Sequence, residues 1–147
     1  MKTLTEHLNE TYSHSVNENK NNPFIKLLDI HTKTHKTPDT KEVEDVINEI
    51  GVLNMSKFNI EVNKGMDDTI LIRYKHTNSR TGLTYKRTFC SIIFNRVIPG
   101  QIMLTFGDYV QKDSKELKDE YKKLTSKLIK EYGFTHNYEE TFIYKVK

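Results

Sequence analysis

Alanine and tryptophan are absent from the 147-residue chain, and cysteine occurs once, as Cys90. A single thiol excludes an intrachain disulfide and any multi-cysteine zinc centre. No apolar run approaches the length of a membrane span, and the opening MKTLTEHLNETYSHS lacks the apolar stretch of a signal peptide. The expected compartment is therefore a reducing cytoplasm, that of a host cell. There is no phosphate-binding glycine loop, dinucleotide fingerprint or catalytic-triad motif. Alanine is the best helix former, so its absence calls for another cause. Its codons are GC-rich, whereas those of the abundant Lys, Asn, Ile and Tyr are AT-rich. That bias points to an AT-rich genome, such as that of a phage, a plasmid or a low-GC bacterium.

What is present suits one domain covering residues 1–147. A chain of this length buries roughly 68–70% of its unfolded surface, enough for a core without staples. The hydrophobic fraction of 35% and charged fraction of 29% imply a modest core under a generous polar surface.

Helical spacing dominates the first third. Thr3 and Glu6 form a capping box before Leu4, Leu8 and Tyr12, which predicts a helix over 4–15. Residues 15–22 are polar and read as a loop. Asn22-Pro23 then starts a second helix through Phe24, Leu27, Leu28 and His31, ending before Pro38. Residues 1–38 are expected to form a loosely attached helical segment. Asp39 and Glu42 cap a third helix over about 40–50, with Val43, Val46, Ile47 and Ile50 on one face and Gly51 as its stop.

The period then falls to two. Phe58, Ile60 and Val62 mark a first strand; Ile70, Ile72 and Tyr74 a second; residues 83–97 a third; Ile102, Leu104 and Phe106 a fourth. The third is apolar on both faces in its middle, so both faces should be covered there. Pro99-Gly100 suits a type II turn. Asp113 and Glu116 read as the cap of a long amphipathic helix carrying Leu117, Tyr121, Leu124, Leu128 and Tyr132 and ending at Gly133. Phe142, Tyr144 and Val146 alternate as a last strand. The fold class is α+β: N-terminal helices, a four-stranded antiparallel meander, a long amphipathic helix and a C-terminal strand, with the helices on one face.

The net charge of +3 is unevenly spread. Residues 1–50 carry nine acids against six Lys/Arg, whereas no acid occurs from Thr69 to Gly107. The stretch RYKHTNSRTGLTYKRTF, 73–89, holds Arg73, Lys75, His76, Arg80, Lys86 and Arg87. These six are the candidate site. Lys86 and Arg87 face opposite sides of a strand, so they can serve one partner only if the hairpin projects beyond the sheet. A two-stranded ribbon fits a DNA major groove, and these side-chain types suit phosphates. Arg80, Lys86 and Arg87 lie where the apolar alternation ends, so their removal should leave the core undisturbed.

Other chemistry has weaker support. His31 and His35 are four apart on a helix, but a third metal ligand would have to come from Asp29 or His14. His35-Lys36-Thr37 has the form of one HxT element, yet the second that 2H phosphoesterases require is missing. Cys90 sits in an apolar strand and should pack as a small hydrophobe. The sequence therefore points to a small non-enzymatic binding protein, phage or mobile-element encoded, that contacts nucleic acid or a nucleic-acid-handling complex through a basic hairpin. The alternative is an inhibitor or regulator that grips an acidic protein surface of a host enzyme or defence complex. A third reading is a small phosphodiesterase or nuclease built from His76, Arg87 and Tyr85. No cofactor, metal or membrane partner is expected.

Overall fold

A computed structural model describes residues 22–146, so the helix expected over 4–15 lies outside the described residues. Helices α1 (Pro23–Thr34) and α2 (Thr40–Ile50) come first. Strands β1 (Glu61–Lys64), β2 (Thr69–Thr77), β3 (Thr84–Phe94) and β4 (Gln101–Phe106) follow. One-turn helix α3 (Val110–Asp113), long helix α4 (Lys115–Lys130) and strands β5 (Thr135–Tyr138) and β6 (Thr141–Lys145) complete the order. All pairings are antiparallel in a six-stranded sheet ordered β1-β2-β3-β4-β6-β5.

The expected meander is thus β1 to β4, and two further strands extend it. Strand β6 is the predicted terminal strand, inserted beside β4. Strand β5 had no apolar signal: THNY is exposed throughout and pairs only with β6 at the sheet edge. An edge strand with no buried face carries no alternation to read. The first strand is also shorter than its apolar pattern suggested. Phe58 lies in a turn where Asn54 Oδ1 accepts from Lys57 N at 2.9 Å, and Asn59 adopts φ 52°, which breaks extended pairing before Glu61.

Local chemistry explains the helix starts. Asn22 Oδ1 accepts from Phe24 N at 3.1 Å, so Asn22 caps α1 as expected. Asp39 occupies the N-cap of α2, but its carboxylate turns to Lys64 at 3.5 Å. The cap of α4 differs from the sequence reading. Ser114 Oγ accepts from Leu117 N at 3.0 Å, and Asp113 ends α3 instead. Ser114 has the extended backbone a cap requires, which frees the Asp113 carboxylate for the sheet.

The core lies between the helices and one sheet face. It joins Phe24, Leu27 and Leu28 of α1, the apolar stripe of α2, and Leu117, Leu124 and Leu128 of α4. Against these lie Ile70, Ile72, Tyr74, Ile92, Phe94, Ile102, Leu104, Phe106 and Phe142. His31 is buried with them, stacked on Phe94 at 5.0 Å and 3.6 Å from Asp68 Oδ1. Lys127 Nζ donates to the Ile50 carbonyl at 2.8 Å, tying α4 to the C-terminal end of α2.

A bulge between Ile72 and Arg73 resolves the doubly apolar middle of β3. The register passes from Ile72↔Cys90 to Arg73↔Thr88, leaving Phe89 as the extra residue. Phe89 and Cys90 are both fully buried as a result. Ile93, further along, is half-buried on the opposite face. Burial pushes the Cys90 thiol well above its ordinary pKa, in keeping with a packing role.

Candidate functional site

Strands β2 and β3 outrun their neighbours. Strand β1 pairs with β2 only up to Arg73, and β4 pairs with β3 only from Cys90. Beyond these limits Tyr74–Thr77 and Thr84–Arg87 pair only with each other, so the hairpin is a two-stranded ribbon projecting from the sheet. Its tip is ordered by its own side chains. Asn78 Oδ1 accepts from Arg80 N at 2.8 Å and Thr81 N at 3.2 Å, and Gly82 takes φ 72°. Thr77 and Thr84 share a hydroxyl hydrogen bond of 3.0 Å across the strands.

The six candidate residues fall into three groups. Lys75 and Lys86 are register partners, and Arg73 lies two residues along β2 on the same face. This face turns away from the helices. Arg80 is exposed at the tip. His76 and Arg87 lie on the helix side, level with Tyr85 and Tyr74 respectively.

On the outward face one carboxylate stands among the cations. Glu61 is level with Arg73 and contacts Lys86 Nζ at 2.9 Å. Its carboxyl is held below the usual range by the hydrogen bond and charge of Lys86, then by Lys75 and Arg73. Three separate cations acting on one exposed acid mark a positive local potential.

On the helix side the charges serve the fold. The Asp113 side chain is only 7% exposed. Its Oδ1 accepts from Arg87 at 2.9 Å, and its Oδ2 accepts from the Tyr74 hydroxyl at 2.6 Å and lies 3.7 Å from His76 Nδ1. Burial, and then the hydrogen bond to and charge of Asp113, push the Tyr74 hydroxyl well above its ordinary pKa. The Arg87 guanidinium also lies over the Tyr109 ring at 4.0 Å. Arg87 is therefore the counter-ion of a buried carboxylate, which corrects the expectation that its loss would spare the core.

Arg87→Ala should lower stability by about 1–3 kcal/mol, because a buried acceptor loses its charged donor. Lys86→Ala should stay within about 0.5 kcal/mol, as expected of an exposed pair. Urea denaturation of both variants checks the contrast. In an Asp113→Asn background most of the Arg87 effect should disappear, and additivity of the two changes would break the proposed coupling.

The other sequence candidates separate. His31 is buried and His35 is an exposed left-handed C-cap, so the pair does not converge. Among the described residues no three His, Cys, Asp or Glu side chains are grouped to hold a metal ion. Asp113, Glu61 and Tyr109 were not singled out in the sequence as parts of this region. Asp113 carried a signal, but a capping box accounted for it locally.

A cleft of about 460 Å³ opens where the ribbon leaves the sheet, lined by residues of 57–59, 74–77 and 113–117. Its lining includes Phe58 and Tyr74, the basic Lys57, Lys75, His76 and Lys115, and the acids Asp113 and Glu116. No protein-family signature matches the chain, and no curated protein or solved structure matches it significantly.

Proposed function

We propose that this is a small non-enzymatic binding protein, of phage or mobile-element origin, that contacts nucleic acid through the β2–β3 ribbon. The projection of an ordered ribbon beyond both neighbouring strands carries this reading. Its outward face and tip present Lys75, Lys86 and Arg80 with threonines at positions 77 and 84 between them. Lysine, arginine and threonine are phosphate-contacting types, and a ribbon of two strands fits a major groove. On the helix side Arg87 is committed to Asp113, with His76 beside it, so duplex contact is assigned to the outward face and the tip.

A second reading has its own observation. Leu83, Tyr85 and Tyr109 are 57%, 42% and 52% exposed on or beside the ribbon. Exposed aromatic and aliphatic groups next to cations also suit an acidic protein surface, such as that of a host enzyme or defence complex. Gel shifts against duplex DNA, single-stranded DNA and RNA at two salt concentrations, paired with capture from a host lysate, separate the two.

Glu61 supplies a test with the opposite sign from charge removal. Glu61→Gln should tighten nucleic-acid binding roughly two- to fivefold at low salt, the scale of an exposed charge pair. The gain should fade at high salt. Unchanged or weaker binding at low salt would show that the outward face does not meet phosphates.

A further inference from the structure

We infer that the cleft at the base of the ribbon is a second anion site, which takes a phosphate group carried on a nucleotide-sized ligand. Its basic side chains come from three separate parts of the chain: Lys57 from the turn before β1, Lys75 and His76 from β2, and Lys115 from the first turn of α4. Lys57 is paired with Glu116 at 3.2 Å. Lys75 and Lys115 are exposed and have no ion-pair partner among the described residues. The other carboxylate of the lining, Asp113, is already matched by Arg87. By count the lining therefore keeps an excess of positive charge.

His76 distinguishes this cleft from a merely basic surface. Its ring is 25% exposed and Nδ1 lies 3.7 Å from Asp113 Oδ2, so Nε2 is the ring nitrogen without that contact. Lysines act as point charges well suited to phosphate oxygens. The positive end of the α4 dipole, at Lys115, adds to the same field.

The size of the cleft admits a nucleotide. At about 460 Å³ the cleft is within the range of small-molecule sites and larger than a bare phosphate needs. Half-buried Phe58 offers an apolar wall for an attached sugar or base. The inference rests on the nucleic-acid reading only for the source of that phosphate: the terminal phosphate of a bound strand.

The test follows the His76 ring signals by NMR in the full chain, with His136 as a remote reference. The probes are inorganic phosphate, a nucleoside monophosphate, and a short single strand with or without a terminal phosphate. Saturable shifts at His76 are expected with the nucleotide, and weaker ones with inorganic phosphate. Lys115→Gln, an exposed change that should not disturb folding, should weaken the nucleotide response about tenfold, the scale of one charge-assisted hydrogen bond. Preference for the phosphorylated strand supports a strand end as the source, and a nucleotide response without that preference supports a free nucleotide. No saturable His76 shift with any phosphate, or an unchanged response in Lys115→Gln, overturns the site. Lys75 borders both the ribbon face and the cleft, whereas Arg80 and Lys86 do not line the cleft, so loss of duplex binding on removal of those two alone reports on the ribbon.

Discussion

Replacing Lys75, Arg80 and Lys86 together by alanine is expected to abolish most duplex binding at moderate salt while leaving the domain folded. Lys75 and Lys86 face each other across the outward side of the ribbon, and Arg80 is exposed at its tip. None belongs to the buried cluster, so each should change stability by no more than about 0.5 kcal/mol. Loss of the Lys86–Glu61 pair adds little, because both side chains are substantially exposed. For duplex DNA, every cation withdrawn from a phosphate should flatten the slope of log K against log salt by about 0.9, so the triple change should remove about 2.7. The weakening should be similar for unrelated sequences, since phosphate binding carries no base information. Titrations at several salt concentrations measure both quantities. An unchanged slope with normal folding would remove the ribbon from the interface. If the unmutated protein binds no nucleic acid at low salt and the triple variant loses a host protein instead, the acidic-surface reading takes over.

Leu128→Ala carries the largest expected effect on stability. Leu128 is fully buried, on the face of α4 that meets the core. The Phe134 amide donates to its carbonyl at 2.8 Å, where the chain turns back toward β5. Removing three carbons from a site enclosed by helix and sheet should cost about 2–5 kcal/mol, the forfeited transfer energy plus the cavity left behind. For a domain with marginal stability that is a large share of the total. The denaturation midpoint should fall with an unchanged denaturant slope. A midpoint matching the parent protein would mean that α4 is not docked on the sheet. Leu124, at the same spacing but 7% exposed, should give a smaller loss.

The elements most legible in the sequence are those whose signals are local. The stripe of Val43, Val46, Ile47 and Ile50 and the spacing of Leu117, Leu124 and Leu128 follow the helical period, and both faces are buried as that period requires. The alternation of Ile70, Ile72 and Tyr74 and of Ile102, Leu104 and Phe106 likewise marks the helix-facing side of the sheet. Asn22 beside Pro23 locates a helix start to the residue. Even the projection of the hairpin has a sequence signal, because the basic residues begin where the apolar alternation stops.

Asp113 shows where local reading fails. Its spacing to Glu116 matches a capping box, and Ser114 offers a cap one residue later. A choice between two adjacent caps depends on what else competes for the carboxylate. The competitors are Arg87 and Tyr74, 26 and 39 residues away along the chain. A buried negative charge is far costlier to leave unpaired than one helix cap is to exchange, so the long-range network prevails. Strand β5 escapes notice for a related reason: THNY has no apolar face, and its extended form comes from backbone pairing with β6.

The sequence by itself thus determined the polarity of the molecule, with acids concentrated in the helical layer and none along Thr69–Gly107, and the set of side chains available to a partner. Tertiary structure decided how that set is divided. Pairing of β2 with β3 sends Lys75 and Lys86 outward and turns His76 and Arg87 toward the helices, and the bulge at Ile72/Arg73 sets this phase by inserting Phe89. The docking of α3 then places Asp113 beneath His76 and Arg87 and shapes the cleft against the start of α4. Charge and period are properties of neighbouring residues. Which cations remain free depends on the partners that folding brings to them from far along the chain.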